Sequence, residues 1–163
     1  MSRDAEGGLQ ALTLGFALLI TIMPAPALLE PLRPYWVGLV VIYWAMESPR
    51  PMSLGAAFVL GLLLDLLTAS LLGLHALSLV VLVYLVQRFR ARIRFFPPWQ
   101  QALAVLALLV NDRIILLWIT LLLGEPLPTW HYWLAPLVGT ALWPWLFLLI
   151  DFLRARRRAA AHE

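Results

Sequence analysis

Long apolar blocks, interrupted by prolines and arginines, make up almost the whole chain. A helix crosses a bilayer core of about 30 Å with roughly 17 to 25 apolar residues, fewer where it thins the bilayer. On that measure the blocks predict six spans, at residues 9–29, 35–47, 52–69, 71–86, 100–123 and 133–153. Pro24, Pro26, Pro31 and Pro34 follow the first block. Their missing amide donors break any regular helix and predict a stiff loop before the short second span. Residues 52–86 are nearly uncharged, and as one helix they would reach about 52 Å, well beyond the core. Two helices meeting in a tight turn fit better, with Thr68-Ala69-Ser70 and Gly73 as the turn.

Composition agrees with this pattern. Of 163 residues, 63% are hydrophobic and 13% charged, too apolar for an ordinary soluble domain. The expected unit is one membrane domain over 1–163: an all-α, polytopic integral membrane protein with six transmembrane helices. No cysteine is present, so disulfides and thiolate metal sites are excluded and the redox compartment is not legible. All twelve basic residues are arginine. Most lie beside apolar spans, as topological anchors do, so no nucleic-acid partner is expected. With six spans, Arg3, Arg50, Arg88, Arg90, Arg92, Arg94, Arg154, Arg156, Arg157 and Arg158 share one side and Arg33 lies opposite. The positive-inside rule makes the rich side cytoplasmic, with both termini there. Treating 52–86 as one span also leaves most arginines inside, so helix length decides for six. Either scheme puts Leu127 outside. Ala25-Pro26-Ala27 after the first block superficially resembles a signal-peptidase site. The acidic leader (Asp4, Glu6) and the central proline favour a retained helix. Trp36, Trp99, Trp130 and Trp133 fit an interfacial belt.

Ionisable groups inside spans cost about 2.5 to 3.5 kcal/mol on insertion scales and ask for a partner or a purpose. They are Asp65, His75, Asp112, Arg113 and Asp151. Arg154, three residues beyond Asp151, is its natural helical partner. Ala57, Gly61 and Asp65 lie four apart, a small-residue face suited to close helix packing that leads to a carboxylate. Asp65 either accepts hydrogen bonds from the turn at Thr68 and Ser70, pairs with Arg113, or meets a ligand or partner. Adjacent helical residues diverge by about 100°, so Asp112 and Arg113 face different neighbours. A buried interhelical network and a substrate or ion path are the two readings of the Asn111-Asp112-Arg113 group. Asp65, His75 and Ser78 have triad residue types, but no nucleophile elbow surrounds Ser78. His75, His131 and His162 are too scattered for a metal site, and neither metal nor cofactor is expected. The arginine clusters 88–94 and 154–158 should hold anionic lipid headgroups at about 1 kcal/mol per side chain, or present a charged face to a cytoplasmic partner.

Several segments together resemble the bacterial rod shape-determining MreD family. Arg33-Pro34 leads into a span ending Tyr43-Trp44 and then Pro49. The stretch 55–77, GAAFVLGLLLDLLTASLLGLHAL, carries Gly61, Asp65, Gly73 and His75 in matching places. Trp99-Gln100-Gln101 opens the fifth span, and Leu142-Trp143-Pro144-Trp145 resembles the family's LWP motif. The resemblance implies a non-enzymatic, multi-pass inner-membrane scaffold of the cell-elongation and peptidoglycan-synthesis machinery. It implies MreC as the foremost partner, with MreB, RodA and the elongation transpeptidase. Packing along Ala57, Gly61 and Gly73 and a rigid break at Pro144 would then fix the surface such a scaffold presents. The competing class is a small-molecule-binding membrane subunit like the substrate-capture component of vitamin importers, with Asp65, His75, Asp112 and Arg113 lining its cavity.

Overall fold

The computed structural model describes the backbone of residues 3–160 and the side chains of 6–160; His162 and the Arg3 side chain lie outside the described residues. Six α-helices follow in order: α1 Arg3–Ile22, α2 Trp36–Glu47, α3 Leu54–Thr68, α4 Leu74–Ile93, α5 Pro98–Leu122 and α6 Leu134–Ala160. Short 3-10 turns occupy Glu30–Leu32 and Trp130–Trp133, and the described residues contain no strand.

Local chemistry sets the helix ends. α1 stops at Ile22, short of the expected residue 29, because Pro24 and Pro26 cannot continue it. Two carbonyls at this end find a side-chain donor: the Arg33 guanidinium donates to Ile20 O and, at 2.7 Å, to Met23 O. Residues 52–86 do form two helices. Ser53 caps α3 by accepting from the Ala56 amide at 3.2 Å, and the helix closes on Ala69 in the left-handed region at φ 51°. Gly73, at φ 97°, opens α4. α4 runs on to Ile93, past the expected 86, and so carries Arg88, Arg90 and Arg92 within the helix. α5 starts at Pro98, whose missing donor costs nothing in a first turn. α6 runs from Leu134 to Ala160 with Pro144 inside it, so Pro144 does not end the helix. The Pro144 side chain is exposed, and the amide donor it lacks removes a single bond from a long helix.

α2 is the axis of the bundle. Every residue from Val37 to Met46 is buried, enclosed by α1, α4 and α6. Trp44 donates to Thr13 Oγ1 on α1 at 2.9 Å, and the Tyr43 ring meets Phe147 on α6 edge-on at 5.4 Å. α3 leans on α4 at Gly61, where a Cβ would collide with the Ala76 backbone and lie 2.7 Å from His75 O. Ala57, one turn earlier, is fully buried. The small-residue face thus brings two backbones together. Gly73 differs from these two: a Cβ there meets nothing within 4 Å, so its role is conformational.

The outward surface is apolar, with Phe16, Phe58, Leu66, Leu103, Trp118, Trp145 and Leu148 exposed. Among the described residues, three stretches are long and apolar enough to cross a membrane: Leu74–Ile93, Pro98–Leu122 and Trp130–Ala160. The part of α1 with described side chains, Glu6–Ile22, and α3 are shorter apolar helices, and α2 has only 12 residues.

Candidate functional site

The four polar residues expected to form one core separate into three settings. Asp65, fully buried near the end of α3, is consumed by the turn that follows. Its carboxylate accepts from Ser70 Oγ at 2.8 Å, the Gly73 amide at 2.8 Å, the His75 amide at 3.0 Å and His75 Nδ1 at 2.7 Å. The two amides belong to the first turn of α4, where a negative charge also complements the helix dipole. Asp65 therefore serves the turn, as one reading anticipated, and the pairing with Arg113 does not form. Thr68 bonds Leu64 O at 2.7 Å and Ser70 Oγ at 3.2 Å, so it supports the turn without touching the carboxylate.

Ser78 lies one turn beyond His75, but its hydroxyl donates to Asp112 Oδ1 on α5. That bond ties α4 to α5 and occupies the serine, so no hydrolytic triad assembles with His75. Asp112 is fully buried, and its second oxygen has no partner among the described residues. Arg113, about 100° around α5, faces away from Ser78. Its guanidinium lies over the Tyr132 ring at 4.7 Å, while Tyr132 Oη donates to Arg113 O at 2.9 Å. Only Arg113 of the four borders the cavity it shares with Glu30, Arg33, Tyr35 and His131, so the expected common cavity is not built. No cluster of metal-ligating side chains occurs among the described residues.

The other end of the bundle is built on Arg154. Sequence spacing pairs it with Asp151, yet Arg154 is buried and turned inward while Asp151 is exposed and accepts from Tyr43 Oη at 3.4 Å. Arg154 bonds Glu6 on α1, Glu47 Oε2 at 3.2 Å and Ser48 Oγ at 3.1 Å. Ser48 also donates to Glu6 Oε1 at 2.8 Å. Arg94 Nε reaches Glu47 Oε1 at 3.2 Å, Arg90 donates to Met46 O, and Gln87 donates to Met52 O at 2.6 Å. The C-terminal end of α2 is thus received by side chains from α1, α4 and α6. Arg90, Arg94 and Arg154, expected to contact lipid or cytoplasmic partners, are engaged within the chain. Arg88, Arg92, Arg156, Arg157 and Arg158 stay exposed. Burial alone opposes ionisation of Glu6, ahead of the first span; the Ser48 bond and then the bond and charge of Arg154 outweigh it, holding the carboxyl below its ordinary 4.5.

Glu6, Glu47, Ser48, Gln87 and Gln101 were not anticipated. Gln101 accepts from Trp143 Nε1 at 3.1 Å and faces Ile93 O at 3.4 Å, joining α5 to α6 and to the end of α4. The Leu142-Trp143-Pro144-Trp145 segment accordingly sends Trp143 inward and leaves Pro144 and Trp145 exposed. A signal for Arg154 was present in the sequence: it follows Trp143 by eleven residues and Ile150 by four, the spacing of one helix face, and both are buried.

Comparison with known proteins gives a consistent answer. The family profile described as rod shape-determining protein MreD matches residues 7–153. A rod shape-determining protein MreD from Haemophilus influenzae is 32% identical over 146 residues, covering 90% of this chain and 89% of the relative. No solved structure matches. With the helical bundle and its span-length apolar helices, the match over nearly the full length settles the lineage: this chain belongs to the MreD family of rod shape-determining membrane proteins.

Proposed function

We propose that the chain is a six-span, non-enzymatic scaffold of the cell-elongation machinery in the bacterial inner membrane, with both termini cytoplasmic and MreC as its foremost partner. MreB, RodA and the elongation transpeptidase are the further partners of this reading, and anionic lipids its surroundings. The observation that carries it is the disposition of polar groups. Asp65, Ser78, Asp112, Glu6, Glu47 and Arg154 are spent on joining helices to one another, whereas the outward faces are apolar. Such a molecule offers helix surfaces for lateral docking rather than a reaction centre. α3 is the favoured docking element, because Phe58, Val59, Leu63 and Leu66 are exposed on it while Gly61 and Asp65 fix it to α4. The exposed Arg88, Arg92 and Arg156 to Arg158 at the Arg154 end supply the positive side that orients the bundle.

In-membrane photocrosslinking from Phe58, Leu66 and Arg92, with mass spectrometry of what is captured, tests the proposal. Capture of MreC from the α3 positions is the expected result. Capture of lipid alone from all three positions sinks the scaffold reading.

A further inference from the structure

Arg113 is an arginine within an expected span that forms no ion pair among the described residues. An arginine in a span costs about 2.5 to 3.5 kcal/mol on insertion scales, so an unemployed one calls for an explanation. The ion pairs among the described residues are His75 with Asp65, Arg94 with Glu47, and Arg154 with Glu6 and Glu47. None involves Arg113. Its sequence neighbour Asp112, about 100° around α5, is bonded to Ser78 and forms no ion pair with it. What Arg113 does have is the ring of Tyr132: its guanidinium carbon lies over that ring, 4.7 Å from the centroid. That ring is itself fixed by its hydroxyl bond to Arg113 O. A cation–π contact is not a hydrogen bond, so the guanidinium keeps N–H donors for a planar oxyanion.

The cavity that Arg113 borders lies at the end of the bundle opposite Arg154 and measures about 580 Å³, within the usual range of about 300 to 1,000 Å³ for ligand pockets. Arg33 lines it too, placed by its bonds to the α1 carbonyls. Glu30 is the one carboxylate among its lining residues and is exposed. The Tyr35 hydroxyl, buried in the wall, has no hydrogen-bond partner among the described residues. The lining thus combines a guanidinium over an aromatic ring, a second arginine, an unused phenol donor and aromatic rings.

We propose that this cavity is an oxyanion-binding site anchored by Arg113, taking a carboxylate or phosphate group that enters from the end opposite Arg154. The group belongs either to a lipid headgroup or to a small soluble anion. The site is independent of which protein the outer helix faces bind.

Thermal unfolding of the full chain in nanodiscs tests this. Benzoate, inorganic phosphate and the neutral isostere benzamide are titrated in phosphatidylcholine discs, and phosphatidylglycerol is substituted for phosphatidylcholine in a parallel series. The expected result is a saturable rise of the unfolding midpoint with benzoate or phosphate but not benzamide, or with phosphatidylglycerol. The first outcome assigns the site to a soluble anion and the second to a lipid headgroup. Arg113→Gln should weaken the response about tenfold or more, Arg113→Lys should recover part of it, and Arg50→Gln, at the other end, should leave it unchanged. A parent protein unmoved by all three anions overturns the proposal. So does an Arg113→Gln response equal to the parent's, or an equal loss in Arg50→Gln.

Discussion

Asp65 is a buried carboxylate whose four bonds all go to the eleven-residue segment from itself to His75, two of them to main-chain amides of α4. Asp65→Asn keeps an acceptor for those amides but loses the charge at the helix start. It should cost roughly 1 to 2 kcal/mol, and Asp65→Ala roughly 2 to 4, because buried donors are then left unpaired. Denaturant unfolding in detergent measures both, and equal stability of the two variants would contradict the capping role. Arg154 poses a different residue-scale question, because one of its partners titrates. Glu6 has a lowered pKa in the folded protein, so its contribution to stability is full above the ordinary 4.5 and is lost as pH falls through the lower, folded value. The unfolding midpoint of the parent should therefore drop in that acid range, and Glu6→Gln should flatten the drop. A Glu6→Gln profile parallel to the parent's would show that other carboxylates govern acid sensitivity.

At the scale of elements, the α3–α4 hairpin depends on two backbones touching at Gly61. A methyl there meets the Ala76 main chain and the His75 carbonyl, neither of which can rotate away, so α3 has to move. Gly61→Ala should cost roughly 1 to 3 kcal/mol, as overpacking does. Gly55→Ala, where the added carbon finds only Ser53 Oγ at 3.8 Å, should be tolerated, and unfolding of the pair side by side checks the contrast. This hairpin was also the most legible element in the sequence. Its division followed from length against bilayer thickness, and its turn from Ser70 and Gly73, because both constraints are local. The partners of Arg154 were not legible for the opposite reason. Spacing along α6 offers Asp151, whereas Glu6 and Glu47 come from the first two helices, and only the assembled bundle brings them within reach. The separation of Asp112 from Arg113 was legible from helix geometry; their destinations, Ser78 and Tyr132, were not. That α6 continues through Pro144 was not legible, because a proline removes one amide donor and crowds the carbonyl four residues back, which can bend a helix without ending it.

For the whole molecule, the contact of Glu6 with Arg154 joins the start of α1 to the end of α6, which gives the six-span proposal a definite topology to test. Reporters fused after Arg92 and after Leu127 should report opposite sides of the membrane, cytoplasmic for the first. A cytoplasmic signal from the Leu127 fusion would rule out the threading. The same assembled bundle explains how a helix as short as α2 can sit at its centre. Its 12 residues span about 18 Å, too little for a bilayer core of about 30 Å, but no lipid has to match a helix that other helices enclose. This has a bearing on how the protein is made. α2 leaves the ribosome before α4 and α6, the helices that will surround it, and before Arg90, Arg94 and Arg154, which receive its end. On the six-span proposal it is, during synthesis, a short helix in a membrane too thick for it, packed against α1 before α4 and α6 arrive. Its final seat comes into existence last, so the N-terminal half of the chain waits on the C-terminal half, and the order of translation runs against the order of burial.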